Sequence, residues 1–139
     1  MRSRLLVFAL VPALAVGLGI GLAHPALADP SDISVGGVWV AKITRDAAGF
    51  SADQRIVEVQ RRITNILSNP VYRHAGATVS VRLVGQAAGI FVADQLAITV
   101  MPEDAAGTGV TPAELARQWA QRFAQGLSKA LPDANIHVF

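Results

Sequence analysis

Two segments of the chain repeat apolar residues every three or four positions, a spacing typical of amphipathic helices. The first predicted helix covers Ser51–Leu67 and ends at Asn69-Pro70. The second covers Pro112–Leu131 and is stopped by Pro132-Asp133. The expected buried stripes are Ile56, Val59, Ile63, Ile66 and Leu67 in the first helix, and Leu115, Trp119, Phe123 and Leu127 with Ala116, Ala120 and Ala124 in the second.

Other segments are short, rich in β-branched and aromatic residues, and bounded by turn residues, which predicts strands. Asp29–Ser34 is polar and contains a proline, so we expect a loose leader there. The order strand, helix, three strands, helix, possible final strand predicts an α+β fold, in which two helices cover one face of a mainly antiparallel sheet of four to five strands. The predicted strands are Val38–Thr44, Thr78–Val84, Gly89–Ala93, Leu96–Met101 and, as a possible short edge strand, Asn135–Phe139.

An internal echo precedes the two helices. The loops Asp46–Gly49 and Asp104–Gly107 both read Asp-Ala-Ala-Gly, and each leads from a strand into a helix. Ser51–Gln54 and Thr111–Glu114 then have the pattern of capping boxes, in which a hydroxyl and a side chain three residues later satisfy free amides. The echo is compatible with two pseudo-symmetric halves, as in ferredoxin-like folds, or with chance recurrence in an alanine-rich chain.

The N-terminus has the organisation of a secretory signal. Arg2 and Arg4 give a basic start, Leu5–Ala23 is an uncharged apolar run, and Ala26-Leu27-Ala28 is a small-x-small cleavage site. We therefore predict that residues 1–28 are a cleaved signal peptide and that 29–139 form a single exported domain. The alternative is an uncleaved anchor, because the run approaches the roughly 20 residues that span a bilayer. Only in that case is membrane association expected.

The composition bears on where the protein is located and on which class of partner it binds. Ten Arg against two Lys, with abundant Ala, suggests a bacterium with GC-rich coding, so the expected location is periplasmic or secreted. Without Arg2 and Arg4, ten basic and ten acidic residues remain, which argues against a nucleic-acid binder. The absence of cysteine excludes disulfides and thiolate chemistry. The basic residues on the helices are interpreted as ordinary solvated faces: Arg55, Arg61 and Arg62 on the first, and Arg117, Arg122 and Lys129 on the second.

The residues that carry chemistry in enzymes are sparse. His74 and His137 are the histidines after the signal, and neither a Gly-x-Ser-x-Gly elbow nor a His-Glu-x-x-His motif is present. We therefore predict no catalytic residues, no cofactor and no metal. An alternative is a small-ligand or divalent-ion site in the acidic strand-to-helix loops. There Asp46, Glu103 and Asp104 would converge if the first and fourth strands lie side by side.

The predicted hairpin around Asp94 determines which face of the sheet is free. If Asp94-Gln95 is a two-residue turn, Ala93 pairs with Leu96 and both faces of the sheet are apolar. The helices cover one face, so a protein partner or a second copy is expected on the other. The predicted partner-binding residues are Ile90, Val92, Ala97 and Thr99.

A longer turn leaves a different surface. A three-residue turn aligns Ile90 and Val92 with Leu96, Ile98 and Val100 on one face of the sheet. The outer face is then less apolar. The sequence leaves both registers open, because Asp-Gln is not a strong two-residue turn.

Most of the exported part, about Trp39–Leu131, resembles a known domain. The similarity lies in Gly49–Arg55, the hairpin Ile90–Val100, Asp104–Gly107 and Thr111–Ala120. The chain resembles the small extracytoplasmic domain that precedes the membrane helices in some cyanobacterial small-conductance mechanosensitive channel family proteins. The resemblance implies an envelope sensing or interaction module and brings no catalytic residue with it.

No membrane segment follows Phe139 in this sequence, so the resemblance implies a free-standing version of the module rather than a channel. The functional expectation is an exported, non-catalytic interaction or accessory module. The alternative is a binder of a small ligand or divalent ion.

Overall fold

The computed structural model describes residues 29–139, so the predicted signal peptide lies outside the described residues. This part of the chain is an α+β domain, as the sequence predicts. Its strands are β1 (Asp32–Val35), β2 (Val38–Lys42), β3 (Ala77–Val84), β4 (Ala87–Val92), β5 (Gln95–Val100) and β6 (Ile136–Val138). Its helices are α1 (Ala52–Ser68), α2 (Pro70–Ala75), α3 (Pro102–Ala105) and α4 (Pro112–Ala130).

The larger sheet has four strands in the order β5-β4-β3-β6. β3, β4 and β5 form an antiparallel meander, and β6 pairs in parallel with β3. The predicted final edge strand is thereby confirmed. The ferredoxin-like arrangement is wrong, because β2 is not a strand of this sheet.

β2 instead forms a separate antiparallel hairpin with β1. The segment expected to be a loose leader is therefore partly a strand, in which Ile33 and Val35 are buried. Gly36 and Gly37 turn the hairpin with positive φ angles of 55° and 76°. The hairpin packs on α4 instead of joining the larger sheet. Through this contact the hydrophobic core also includes residues of β1 and β2.

The two long helices are formed as the sequence predicts. Ser51 Oγ accepts from the Gln54 amide at 3.2 Å, and Gln54 Oε1 accepts from the Ser51 amide at 3.0 Å. Thr111 and Glu114 make the same reciprocal contacts at the start of α4, where the hydrogen bonds from Thr111, backbone first, lower the pKa of Glu114. The expected apolar stripes of both helices face the core, with Leu67 partly buried at the edge. Two short helices, α2 and α3, were not predicted.

The two-residue turn at Asp94-Gln95, one of the two registers considered for the β4–β5 hairpin, is wrong. Val92 pairs with Gln95, so the turn is Ala93-Asp94, one residue earlier than expected. The Ala93 amide donates to the Thr78 carbonyl at 2.8 Å, which ties Ala93 to β3 and removes it from the hairpin pairing. Ala93 adopts a φ of 50°, a conformation that tight hairpin turns require.

A bulge then resets the pairing further along the hairpin. Phe91 faces Leu96, but Ile90 faces Ile98, so Ala97 is the extra residue of the bulge. As a result Ile98 shares the buried side with Ile90, whereas Leu96 does not. Neither register considered from the sequence is therefore complete.

The observed register removes the predicted open partner face. Ile90, Val92 and Ala97 are fully buried in the core, and Thr99 is half-buried. The helices cover these residues because the bulge brings the apolar side chains of both strands to the inner face. The outer face carries Arg82, whose guanidinium lies 4.6 Å from the ring centroid of Phe91. A partner surface made of Ile90, Val92, Ala97 and Thr99 is not present.

None of the helices within residues 29–139 is long and apolar enough to cross a bilayer.

The β1–β2 hairpin approaches α4 at a glycine about one turn before the end of the helix. A Cβ on Gly126 would lie 2.5 Å from the Val35 carbonyl oxygen. An interior helical glycine normally costs about 1 kcal/mol relative to alanine, but here the missing Cβ lets the hairpin backbone touch the helix.

We expect Gly126→Ala to lower the free energy of unfolding by about 1 to 3 kcal/mol, because overpacking outweighs the gain in helix propensity. Urea denaturation measures the change. Ser128→Ala, at an exposed position in the same helix, is the control and is expected to change stability by less than about 0.5 kcal/mol. A more stable Gly126→Ala protein would contradict the close approach.

Candidate functional site

An open groove of about 650 Å³ runs along the first half of α1. The segment between β2 and α1 and the end of β5 form its other walls. We call it the α1 groove. Its main apolar lining residues are Ile43, Ala47, Phe50, Val57, Val59 and Met101.

A tight turn shapes the mouth of the groove. Ala47 and Phe50 exchange two backbone hydrogen bonds of 3.0 Å each. Between them, Ala48 and Gly49 have φ angles of 51° and 82°. A positive φ is uncommon for alanine, so the surrounding contacts hold this turn in a strained conformation. The turn leaves Phe50 58% exposed at the groove instead of folding it into the core.

A buried ion pair lies beside the groove. Arg55 Nη1 donates to Asp104 Oδ1 at 2.9 Å and Nη2 donates to Oδ2 at 2.5 Å, and the two side chains are 9% and 1% exposed. Arg55 also donates to the Arg45 carbonyl at 2.6 Å. Asp104 Oδ2 accepts from the Met101 amide at 2.8 Å. The pair therefore fastens α1 to the segment after β2 and to the segment after β5.

This arrangement corrects the interpretation of Arg55 as part of a solvated basic face. Arg55 also approaches the Thr99 carbonyl at 3.5 Å, at the end of β5. Its donors are directed to protein acceptors, so Arg55 positions the groove wall and is not free to hold a ligand.

The acidic loops converge, and protein donors hold two of their three carboxylates. Asp46 and Glu103 line a second cavity of about 580 Å³. Asp46 Oδ1 accepts from the Ala52 amide at 2.8 Å, and Asp104 turns away to Arg55. Within the described part of the chain, no group of three His, Cys, Asp or Glu residues is placed to hold a metal. The geometry gives no support to the divalent-ion alternative.

The far end of the groove is charged. Glu58 Oε1 accepts from Arg61 Nη2 at 2.7 Å and from Arg62 Nε at 2.8 Å. Hydrogen bonding from Arg61 first, and from Arg62, lowers the pKa of Glu58 to about 2. Glu58 is therefore a carboxylate at every physiological pH. Since its side chain is 40% exposed, solvent screening keeps its effect on stability small.

The two histidines lie on different elements, His74 in the last turn of α2 and His137 in β6. Among residues 29–139, no buried side-chain nitrogen or oxygen lacks a hydrogen-bond partner.

The groove is not among the sites predicted from the sequence. The residues that indicate it are Phe50 and Val57, two bulky apolar residues that fall outside the buried stripe of α1. Both are more than half exposed.

The fold and the groove together define a small α+β domain with an open apolar cleft. A family model for a domain of unknown function, DUF8459, matches residues 32–130, and the chain belongs to this family. No curated protein and no solved structure matches the chain.

Proposed function

We propose that the protein is an exported, non-enzymatic binding module and that the α1 groove holds the apolar part of a small molecule. The observation that carries this proposal is the pair of exposed apolar side chains in the groove. Phe50 is 58% exposed and Val57 is 65% exposed. Both line the same concave surface, so one ligand can cover both.

The dimensions of the groove fit this class of ligand. Small-molecule sites in proteins are mostly apolar clefts of about 300 to 1,000 Å³ with a few polar groups. The α1 groove, at about 650 Å³, lies within that range. Covering the exposed parts of Phe50 and Val57 contributes on the order of 1 kcal/mol each. Binding therefore also requires contacts with the other apolar lining residues of the groove.

The groove is also held in shape before any ligand binds. The Arg55–Asp104 pair fixes α1 relative to both neighbouring segments, and the paired backbone of Ala47 and Phe50 fixes the mouth. A preformed cleft avoids the entropic cost of ordering its walls on binding. Export and the lack of catalysis rest on the signal-like N-terminus and on the absence of a catalytic motif in the sequence.

The proposal predicts that the purified protein binds the neutral fluorescent probe N-phenyl-1-naphthylamine, with a blue shift and a rise in emission. We expect Val57→Asp to weaken this binding at least tenfold, or about 1.4 kcal/mol. The matched control is Val71→Asp. Val71 lies on α2, is 60% exposed and does not line the groove.

Light scattering on the same samples separates a small-molecule site from a protein interface. Probe binding by a protein of unchanged mass, lost in Val57→Asp and kept in Val71→Asp, supports the proposal. A dimer that dissociates in Val57→Asp, without probe binding, would overturn it and assign the groove to contact between protein chains.

A further inference from the structure

We propose that the ligand of the α1 groove is an amphipathic carboxylate, with an alkyl chain in the apolar part and its anionic end at Arg62. This inference rests on the proposed function. It adds the chemical class of the ligand and the residue that orients it.

The groove is elongated, with different charges at its two ends. Its lining residues on α1 extend from Asp53 to Arg62, which corresponds to about 13 Å along the helix axis. Asp53 places a negative charge near the start of the helix, Val57 follows one turn later, and Arg62 ends the lined stretch with Glu58 one turn before it. Phe50 lines the groove from the segment just before the helix. A molecule with one apolar and one charged end matches this layout.

The side chains around Glu58 carry an excess of positive charge, part of which comes from Arg61 outside the groove lining. Glu58 is the single carboxylate shared by Arg61 and Arg62. The three side chains therefore have a net charge of +1. One excess positive charge balances a monovalent carboxylate, whereas a divalent phosphate would leave negative charge uncompensated. Repulsion from Asp53 disfavours the reversed orientation of the ligand.

Arg62 retains donors for an anion. It uses Nε for Glu58, and within residues 29–139 its two Nη nitrogens make no hydrogen bond to another residue. Each carries two N–H groups in the planar fork that matches a carboxylate. The side chain is 27% exposed and lines the groove. Arg62 is therefore partly shielded from water and still accessible to a ligand.

The other arginines near the groove are less suitable than Arg62 for binding the anionic end of the ligand. Arg55 is buried and its guanidinium is occupied by Asp104. Arg61 donates to Glu58 through both Nε and Nη2 and does not line the groove. Arg62 is therefore the arginine that can bind the ligand from inside the groove.

The test compares decanoate with decanol, which share an alkyl chain length, as displacers of N-phenyl-1-naphthylamine from the purified protein. The measured quantity in each variant is the dissociation constant of decanoate divided by that of decanol. Because both ligands have the same alkyl chain, the contribution of the chain cancels in this ratio. We expect Arg62→Gln to shift this ratio about fivefold against decanoate. Glu58→Gln is expected to shift it toward decanoate, because it releases both arginines.

The matched control is Arg82→Gln. Arg82 is an exposed arginine with an ion pair to Asp94 and does not line the groove. An unchanged ratio in this variant, with the shifts expected for Arg62→Gln and Glu58→Gln, supports the inference. The same ratio in wild type and Arg62→Gln would overturn it, even if decanol binding and its loss in Val57→Asp uphold the apolar groove.

Two further results would also be decisive. If neither decanol nor decanoate displaces the probe, both the proposed function and this inference fail. If the protein binds phosphatidylglycerol vesicles but not decanoate, the anionic partner is a membrane surface and the inference of a free carboxylate is overturned.

Discussion

Replacing Trp119 with alanine is expected to lower the free energy of unfolding by about 3 to 5 kcal/mol. Trp119 is 4% exposed and lies on the buried stripe of α4. This helix contacts every strand of the larger sheet and both strands of the hairpin, so a cavity there weakens both parts of the core. Urea denaturation followed by far-ultraviolet circular dichroism measures the loss.

The control for this prediction is Phe139→Ala, since Phe139 is 86% exposed. It is expected to change the free energy of unfolding by less than about 0.5 kcal/mol. A loss below about 1 kcal/mol in Trp119→Ala would show that α4 does not hold the core together in the way its contacts indicate.

The helices could be predicted from the sequence because their signals are local. Each capping box lies within four residues, Ser51–Gln54 and Thr111–Glu114, and both form as expected. The apolar spacing then determines which side of each helix is buried, whatever it packs against. The start of both long helices and the composition of their buried stripes follow directly from these patterns.

The sheet was harder to predict because its register depends on distant residues. Ala93 leaves the hairpin pairing through a hydrogen bond to Thr78, which lies on another strand. The bulge at Ala97 compensates for the shift and returns Ile98 to the core. Neither effect can be inferred from the local pattern of apolar residues. For this reason the residues of the predicted partner face are buried or half-buried in the folded chain instead of forming an open surface.

The candidate site depended on one pairing that the sequence does not reveal. Arg55 and Asp104 lie 49 positions apart, and each has the local context of a solvated residue. In the folded chain they bury one another, which removes Asp104 from any ion site and Arg55 from the basic face. The acidic loops do meet, although the first and fourth predicted strands are not neighbours in one sheet, and protein donors hold two of their carboxylates.

Replacing Asp104 with alanine is expected to lower the free energy of unfolding by about 3 to 5 kcal/mol, because it leaves the Arg55 guanidinium buried without its counter-charge. The change also removes the acceptor for the Met101 amide. Since Arg55 fastens α1 beside the groove, the variant should lose binding of the neutral probe under conditions in which it is still folded. Chemical denaturation and probe fluorescence measure the two effects separately.

Two comparisons identify the buried charge as the cause. Asp94→Ala breaks the pair with Arg82, but Asp94 is 97% exposed, so the expected loss is less than about 1 kcal/mol. The double variant Arg55→Met with Asp104→Leu removes both charges and is expected to recover most of the stability lost in Asp104→Ala. If the double variant were no more stable than Asp104→Ala, the cost would lie in lost packing or in the Met101 hydrogen bond. If it regains stability without regaining probe binding, the ion pair determines the shape of the groove rather than the strength of the fold.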